Sequence, residues 1–493
     1  MRWKNGIVSS TLALSLLVLP TASASAMVAK EDVDTLIQVY TQLADGHYTH
    51  PNQDKLLQAA IEGMLNEIND PFTSYMSPEE YQGFVGAIEQ SFAGIGVAFT
   101  AAGNEGALIV NEVYKGTPAE KAGLQKGDRV LAVDGVAVTA DNASDLPAKI
   151  RGQEGTTVVL TVKQGTEEPK QVTITRANIE LPLTHSEDLG DGIGYIQLMS
   201  FGDRSADEFS TALTDLQKKN IQSLVIDLRG NGGGHVLPAL QIADTFLGKG
   251  TILRTHDQEG TVQDVEADSE VNNLPLVVLI DGNSASASEM LAGALQKNGR
   301  AKLVGTQSYG KGTMQAPQEL PNGGYLKLSV DRWELADGTS PDKVGLTPDV
   351  RITSSNPVSA LNAAMQLLKP TRTQELSFSR TDATAKLNGH EMANVPQPFV
   401  EGTAYLPLRF TAESLGAQVD WVAAESAVKF RLAGHAVAVS LHTGEVKIDG
   451  QPSRYSHAVR TMDGATYISA DTLGEIVGQS VEVNEQEVRV RLK

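Results

Sequence analysis

The sequence predicts a multi-domain α+β protein, on three observations. At 493 residues the chain exceeds what a single hydrophobic core serves. Its apolar pattern changes along the chain, from helical spacing to short β-type runs and then to strands alternating with helices. Near the end, one short strand-to-helix pattern occurs twice.

Taken in order, residues 1–26 have the three parts of an export signal: Arg2 and Lys4, an apolar run from Ile7 to Pro20, and the small residues Ala24-Ser25-Ala26. Ser9, Ser10 and Ser15 interrupt the run, which is short against the ~20 residues of a membrane span. Export with cleavage is the expectation, and an uncleaved anchor in the membrane the alternative. Residues 27–90 read as helical. Val33, Leu36, Ile37, Tyr40 and Leu43 fall at helical spacing, DKLLQAAIEGMLNEI repeats the pattern, and Asp70-Pro71 ends it. Between 91 and 178 come short runs such as ALIVNEV, RVLAVDGVAV and TVVLTVKQ, separated by glycine turns, with one helical piece at 117–122. From 179 to 370, GIGYIQL, SLVIDL, PLVVLI and AKLVG alternate with helical stretches, the pattern of parallel β with crossover helices in a layered α/β core. The polar stretch 371–384 reads as a linker to a last domain, 385–493. There Tyr405-Leu406-Pro407-Leu408-Arg409, followed by Gly416, is echoed 62 residues later by Tyr467-Ile468-Ser469-Ala470-Asp471, followed by Gly478. This reads as a small duplicated α+β domain whose helices stop at glycine.

Composition narrows the function. Hydrophobic and charged contents of 41% and 20% suit globular protein. A formal net charge of −20 repels nucleic acid and anionic lipid, so neither is expected as a partner. Cleavage after Ala26 would remove two positive charges and no acid. With no cysteine, disulfides, thiolate metal sites and a cysteine nucleophile are excluded. His390, His435, His442 and His457, like His47 and His50, lack tight metal-ligand spacing, so no metal is expected.

Two corners carry the candidate chemistry. In LVIDLRGNGGG (224–234) a buried strand runs into a glycine turn ahead of a helix. A dinucleotide fingerprint needs glycine where His235 stands, and no Gly-Lys-Ser/Thr follows, so nucleotide phosphate is set aside. Backbone N–H groups of such a turn can face a developing oxyanion. A tight turn requiring positive φ explains the glycines equally well. In DGNSASASEM (281–290) three serines lie between a strand and a helix. Locally, Ser286-Ala287-Ser288-Glu289 is a capping box. For Ser286 to be a nucleophile it needs a base, either the nearby His235 or a lysine. Lys311, in AKLVGTQSYGKGTMQ, lies between glycines that let backbone close around its amine. To accept a proton that amine must be neutral, which takes desolvation lowering its pKa by several units from about 10.4. Gln315, four residues on, falls on the same side of an extended chain and could orient it. A solvated loop lysine is the plain alternative.

Taken together, these stretches resemble the carboxyl-terminal processing peptidases, the tail-specific serine proteases of bacterial envelopes and chloroplasts within the S41 peptidases. DPFTSYMSPEEY (70–81), a PDZ-like segment, LVIDLRGNGGG, NSASASE, VGTQSYGKGTMQ and GLTPDV keep the family's order and approximate spacing over 28–369. The resemblance implies a crotonase-like protease core. It implies Ser286 as nucleophile, Lys311, 25 residues on, as its general base, and Gln315 as the lysine's support. It implies an oxyanion site made by the N–H of Ala287 and one from the glycine turn. That turn usually reads R-x-N-P-G-G, and this chain has Gly232 at the proline position. Gly233 is the matching donor and Gly232 the fallback. A second departure, Trp333-Glu334-Leu335 in place of a Tyr-rich stretch, is expected to alter the substrate groove. Capping of the helix would pass to Asn283 or Ser284.

Residues 91–178 resemble a PDZ domain. Gly94-Ile95-Gly96-Val97 resembles the loop that binds a terminal carboxylate, and Thr117-Pro118-Ala119, Ala122-Gly123-Leu124 and Gly127-Asp128 match the helix and turn of such modules. Arg151 is expected to link this module to the core, to make a plain salt bridge or to sit solvated. Residues 385–493 resemble the small domain named after the N-terminal region of copper amine oxidases, a name that implies no copper. The implied protein is an exported serine endopeptidase without cofactors, acting on protein or peptide substrates recognised by free C-terminal tails. It would be a homodimer through its N-terminal helices, with cell-envelope contact through the last domain. A PDZ scaffold or envelope-binding protein with an inactive core is the rival reading.

Overall fold

The computed structural model describes residues 29–101, 106–268, 270–354, 356–393, 395–401, 403–462 and 464–492. The expected export signal, 1–26, lies outside them. The chain forms two compact units, one ending at Tyr75 and one beginning at Met76. In the first, the helices Lys30–Gly46 and Gln53–Ile68 bury none of their residues. Val33, Leu36, Ile37, Val39 and Leu43 of the one and Leu57, Met64 and Ile68 of the other are exposed.

The second unit is built around a six-stranded sheet whose strands follow chain order: Thr184–Asp188, Ile193–Leu198, Ser223–Asp227, Leu276–Ile280, Ala301–Gly305 and Val350–Arg351. The first pairing is antiparallel and the rest are parallel. Ile196, Leu224, Ile226, Val278 and Ile280 pack on one face with the helices Ser205–Lys218, Val236–Leu247 and Ala287–Lys297. On the other face Val225, Val277, Leu279 and Val304 meet Ala360, Ala363 and Ala364 of the helix Pro357–Leu368. Both faces are covered, which is why the central strands read as unbroken apolar runs. The expected layered α/β core is what forms. Loops leaving the C-terminal ends of neighbouring parallel strands lie side by side. Three neighbours, Ser223–Asp227, Leu276–Ile280 and Ala301–Gly305, therefore deliver the glycine turn, the serine corner and the Lys311 loop to one edge.

Ahead of the core, Val97–Ala101 is the edge strand of a sheet that continues through Leu108–Val113, Arg129–Val133, Thr157–Lys163 and Lys170–Thr175. Arg176 is buried here. Its Nε donates to Ile150 O and its Nη2 to Lys149 O, both at 2.9 Å, tying the short helix Leu146–Ile150 to the sheet. Gly152 leaves the room, since a Cβ there would sit 2.9 Å from Arg176 Nε. Arg151 is exposed and lies 4.9 Å over the Phe92 ring, so its partner is in the strand Ser91–Gly94 and not in the protease sheet.

The last domain corrects the expected linker. Within 371–384, Gln374–Ser379 is a strand paired on one side with Thr384–Leu387 and on the other with Glu487–Leu492. Leu376 and Phe378 are fully buried. Two alternating apolar positions between polar flanks are too short a signal to stand out. The duplicated unit is present. Thr403–Pro407 enters the helix Leu408–Ser414, Ala465–Ser469 enters the helix Ala470–Val477, and the two strands pair antiparallel with Leu406 opposite Ile468. Gly416 (φ 87°) and Gly478 (φ 72°) follow the helices in the left-handed region.

Candidate active site

Ser286 is the N-cap residue of the helix Ala287–Lys297, with φ 56° and ψ −116°. Such a backbone costs a non-glycine residue about 1–3 kcal/mol and persists only where its surroundings hold it. Two bonds do so: the Ser286 N–H donates to Glu289 Oε2 and the Ser286 carbonyl accepts from the Met290 N–H, each at 2.9 Å. Ser286 is 7% exposed. Capping does not pass to Ser284, because its hydroxyl donates to Leu228 O (2.8 Å) and accepts from the Asp281 N–H (2.9 Å). Nor does it pass to Asn283, which is exposed, and the cap position falls on Ser286 itself.

The glycine turn presses directly on this corner. A Cβ on Gly233 (φ 102°) would lie 2.8 Å from Ala285 O, 2.9 Å from Ser286 Cβ and 3.1 Å from Ala287 N, so only glycine fits. Asn231, fully buried, fixes the approach. Its Nδ2 donates to Leu198 O (2.9 Å), and its carbonyl accepts from the Ala285 N–H (3.1 Å) and the Ser288 hydroxyl (2.9 Å). Its Oδ1 accepts from the Gly233 N–H at 2.9 Å. The N–H of Gly232 has no acceptor among the described residues, and the space where a proline ring would begin is open. Ala287 is the first helical residue, so its N–H lies beyond intrahelical bonding. His235, the alternative base, turns its Nε2 to Glu89 Oε1 (2.9 Å) and Asp203 Oδ1 (3.7 Å). Among the described residues these three are spaced to share a metal ion, and the His235–Glu89 hydrogen bond already accounts for their approach.

Glu289 joins the two halves of the site. It is fully buried, and its carboxylate accepts from the Ser286 N–H, the Ser308 hydroxyl (2.6 Å), the Gly310 N–H (2.7 Å) and the Lys311 N–H (2.9 Å). A buried carboxylate is tolerated only when so paired. Read from sequence, Glu289 was a capping-box partner and nothing more; its other donors lie 19 to 22 residues away. Glu289→Gln brings an amide NH2 among four donors. It is expected to lower stability by about 2 kcal/mol or more and activity by about 100-fold, since the serine corner and lysine loop lose their common anchor. Melting and cleavage rates on the same preparation check this, and parent-like values in both would contradict it.

Both glycines flanking Lys311 lie against residues 342–345. A Cβ on Gly310 would lie 2.8 Å from Gly345 N, and one on Gly312 2.5 Å from Asp342 Cβ. Trp333, expected to reshape the groove, is instead fully buried and donates its indole N–H to Lys311 O at 3.2 Å. Gln315 lies on the strand Thr313–Glu319, which begins after Lys311. The bulge beside it is on the partner strand Tyr325–Glu334, where Val330 is passed over between Asp331, opposite Met314, and Ser329, opposite Gln315. The alternation argument from Lys311 to Gln315 therefore fails, because Lys311 is not in the strand. The Gln315 amide donates to Thr313 Oγ1 (2.9 Å) and Ser329 Oγ (3.1 Å).

Away from this edge, Gly94–Val97 forms the turn between the strands Ser91–Gly94 and Val97–Ala101. Gly96 (φ 82°) packs on Thr117, whose Cβ would be 2.4 Å from an added Cβ. The carbonyls of Ile95 and Gly96 accept from the N–H groups of Ala119 (2.9 Å) and Tyr114 (3.0 Å). Their own N–H groups have no acceptor among the described residues. Beside the turn opens a cavity of about 300 Å³ lined by Phe92, Val97, Phe99, Pro147, Ile150 and Leu181 among others.

Known proteins resemble the chain segment by segment. The profile of peptidase family S41 matches residues 192–352, that of the PDZ domain 109–164, and that of the copper amine oxidase N-terminal domain 386–492. Residues 8–80 match the activating protease CtpB N-terminal domain. The carboxy-terminal processing protease CtpA of Bacillus subtilis (strain 168) is 34% identical over 329 residues, 66% of this chain and 70% of that protein. CtpB of the same organism is 32% identical over 344 residues, 69% of this chain and 71% of that protein. The solved structure of a photosystem II D1 C-terminal processing protease aligns over 66% of this chain and 93% of its own, with 25% identity and a TM-score of 0.39. Relatives this similar over this much of their length place the chain in a family: it belongs to the carboxy-terminal processing proteases of peptidase family S41, with a PDZ domain.

Proposed function

We propose that the protein is an exported serine endopeptidase with a Ser286–Lys311 dyad, cleaving protein substrates held by their C-terminal tails. The observation that carries this is the backbone of Ser286. A serine, and not a glycine, occupies a left-handed position costing about 1–3 kcal/mol, beside a glycine turn pressed against it. Strain kept at one side chain, with a lysine loop hung from the same carboxylate, is best explained by what that side chain does.

In this reading the neutral Lys311 amine takes the Ser286 hydroxyl proton as Oγ attacks the scissile carbonyl carbon. The oxyanion is met by the Ala287 N–H and by a donor from the glycine turn, each worth about 3 kcal/mol of barrier. The N–H of Gly232, which has no acceptor among the described residues, serves as it stands; Gly233 serves once it gives up Asn231 Oδ1. Protonated Lys311 returns its proton to the leaving amine, and water, deprotonated in turn by Lys311, resolves the acyl-enzyme. Gln315 steadies the strand that follows the lysine loop through its bonds to Thr313 and Ser329.

Tail recognition follows from the Gly94–Val97 turn. The N–H groups of Ile95 and Gly96 take the terminal carboxylate, the peptide adds to the edge strand Val97–Ala101, and its last side chain enters the apolar cavity. A substrate ending in a free apolar residue is expected to show a kcat/KM about tenfold or more above the same chain amidated at its C-terminus. Equal rates would remove tail recognition. The exposed apolar residues of the helices Lys30–Gly46 and Gln53–Ile68 are read as covered by a second copy. Sedimentation at micromolar concentration should then find two chains per particle, and a monomer would exclude this. Export rests on residues 1–26, and N-terminal sequencing of the mature chain should start after Ala26.

A further inference from the structure

The C-terminal domain meets the protease core through buried polar side chains. Glu413, on the helix Leu408–Ser414, is fully buried. Its carboxylate accepts from the Thr353 N–H (3.0 Å), the Thr353 hydroxyl (2.9 Å), the Ser354 N–H (2.6 Å) and Arg409 Nη1 (3.0 Å). Thr353 and Ser354 lie just past the last strand of the core sheet and just ahead of the helix Pro357–Leu368. On that helix, Asn362 is also buried and uses both ends of its amide. Nδ2 donates to Ser414 O (2.8 Å) and to Gln374 Oε1, while Oδ1 accepts from Arg372 Nη1 (3.0 Å) and Asn388 Nδ2 (3.0 Å). The Ser359 and Ser414 hydroxyls are 3.2 Å apart. A module hung on a linker needs no such seam. A buried network with its members satisfied fixes one arrangement of the parts it joins.

The same segment of chain reaches the catalytic edge from behind. Arg229 Nη1 donates to Pro357 O at 2.7 Å. The rest of the guanidinium clasps Asp227, with Nε at 2.9 and 3.1 Å from its two oxygens and Nη2 at 2.5 Å. Asp227, 1% exposed, also accepts from the Tyr195 hydroxyl (2.8 Å) and from the Arg229 N–H (3.0 Å). Burial, then the Asp227 charge, pushes the Tyr195 phenol far above its usual pKa, so it remains a donor. Arg229 is the residue ahead of Gly230, where the glycine turn begins, and that turn touches Ser286. Among the described residues, Pro357 O is the acceptor outside its own strand end that holds this arginine.

We propose that Glu413 is a positioning residue for the catalytic turn: it fixes Thr353 and Ser354 ahead of Pro357, whose carbonyl holds Arg229 at the root of the turn. The C-terminal domain is then part of the protease frame. Packed interiors pass on small displacements, and donors a few tenths of an ångström out of place cost rate without costing binding. Substrate tails are held elsewhere, so the effect belongs in kcat. The inference rests on the Ser286 chemistry proposed above, and the test separates the two.

The experiment uses the full mature chain and a fluorogenic peptide with a free apolar C-terminus. Ser286→Ala, Glu413→Gln and Thr353→Val are compared with the parent, with melting curves for each. Glu413→Gln is expected to lose about tenfold in kcat with KM within about twofold, and Thr353→Val to lose less in the same sense. If Glu413→Gln does not fold, Thr353→Val decides alone. Parent kcat in the deciding variant, or a change confined to KM, overturns the positioning role and leaves Ser286 untouched. A Ser286→Ala chain as active as the parent overturns both.

Discussion

Ser286→Ala is expected to cut kcat by about 10⁴-fold or more while leaving the chain folded. The bonds that hold this corner are backbone bonds, from the Ser286 N–H to Glu289 and from the Met290 N–H to Ser286 O, and alanine keeps both. Only the hydroxyl of a residue 7% exposed is removed. If capping were the serine's whole role, the loss would appear in stability, at about 1 kcal/mol, and cleavage would continue. Cleavage of an unfolded protein substrate and thermal melting on one preparation separate the two. Ser286→Gly sharpens the contrast. Glycine adopts φ 56° freely, so that variant should melt at or above the parent temperature and be equally inactive. Activity at the parent level in both variants would return Ser286 to a cap and require another nucleophile, whereas a parent chain that does not cleave would favour the scaffold reading.

The parts of this site differ in how far they could be read from sequence. The core strands were legible because SLVID and LVVLI are buried on both faces and so read as unbroken apolar runs. The duplicated unit was legible because tyrosine, the helix that follows its strand and a closing glycine recur at matching positions. The strand Gln374–Ser379 was not, since two inward residues between polar flanks resemble a linker. Glu289, Asn231 and Trp333 show a different limit. Each is an ordinary residue in its local pattern, and its importance lies in partners far along the chain: Ser308, Gly310 and Lys311 for Glu289, Ala285 and Ser288 for Asn231, Lys311 for Trp333. Gln315 marks a third limit. Period-two alternation places side chains only within a strand, and the strand that carries Gln315 begins at Thr313, after Lys311.

Lys311→Ala is the second variant expected to be nearly inactive, with a loss in kcat of about 10³-fold or more. The loop should survive the change, because what holds it is backbone: the Lys311 N–H to Glu289, the Trp333 indole N–H to Lys311 O, and the close packing of Gly310 and Gly312 on residues 342–345. The sign of the pH dependence tests the role assigned to the amine. A general base works unprotonated, so the parent kcat/KM should fall as pH drops through the amine's pKa, by about tenfold per unit well below it. A lysine acting as a fixed positive charge near the oxyanion would give the reverse, with activity kept in acid and lost in base. Lys311→Arg decides between them at a single pH. Arginine keeps the charge and cannot release its proton in the working range, so a base role predicts an inactive Lys311→Arg and a purely electrostatic role predicts an active one. A Lys311→Arg chain that cleaves like the parent would leave Ser286 without the base proposed for it and return His235, the other base weighed for it, to consideration.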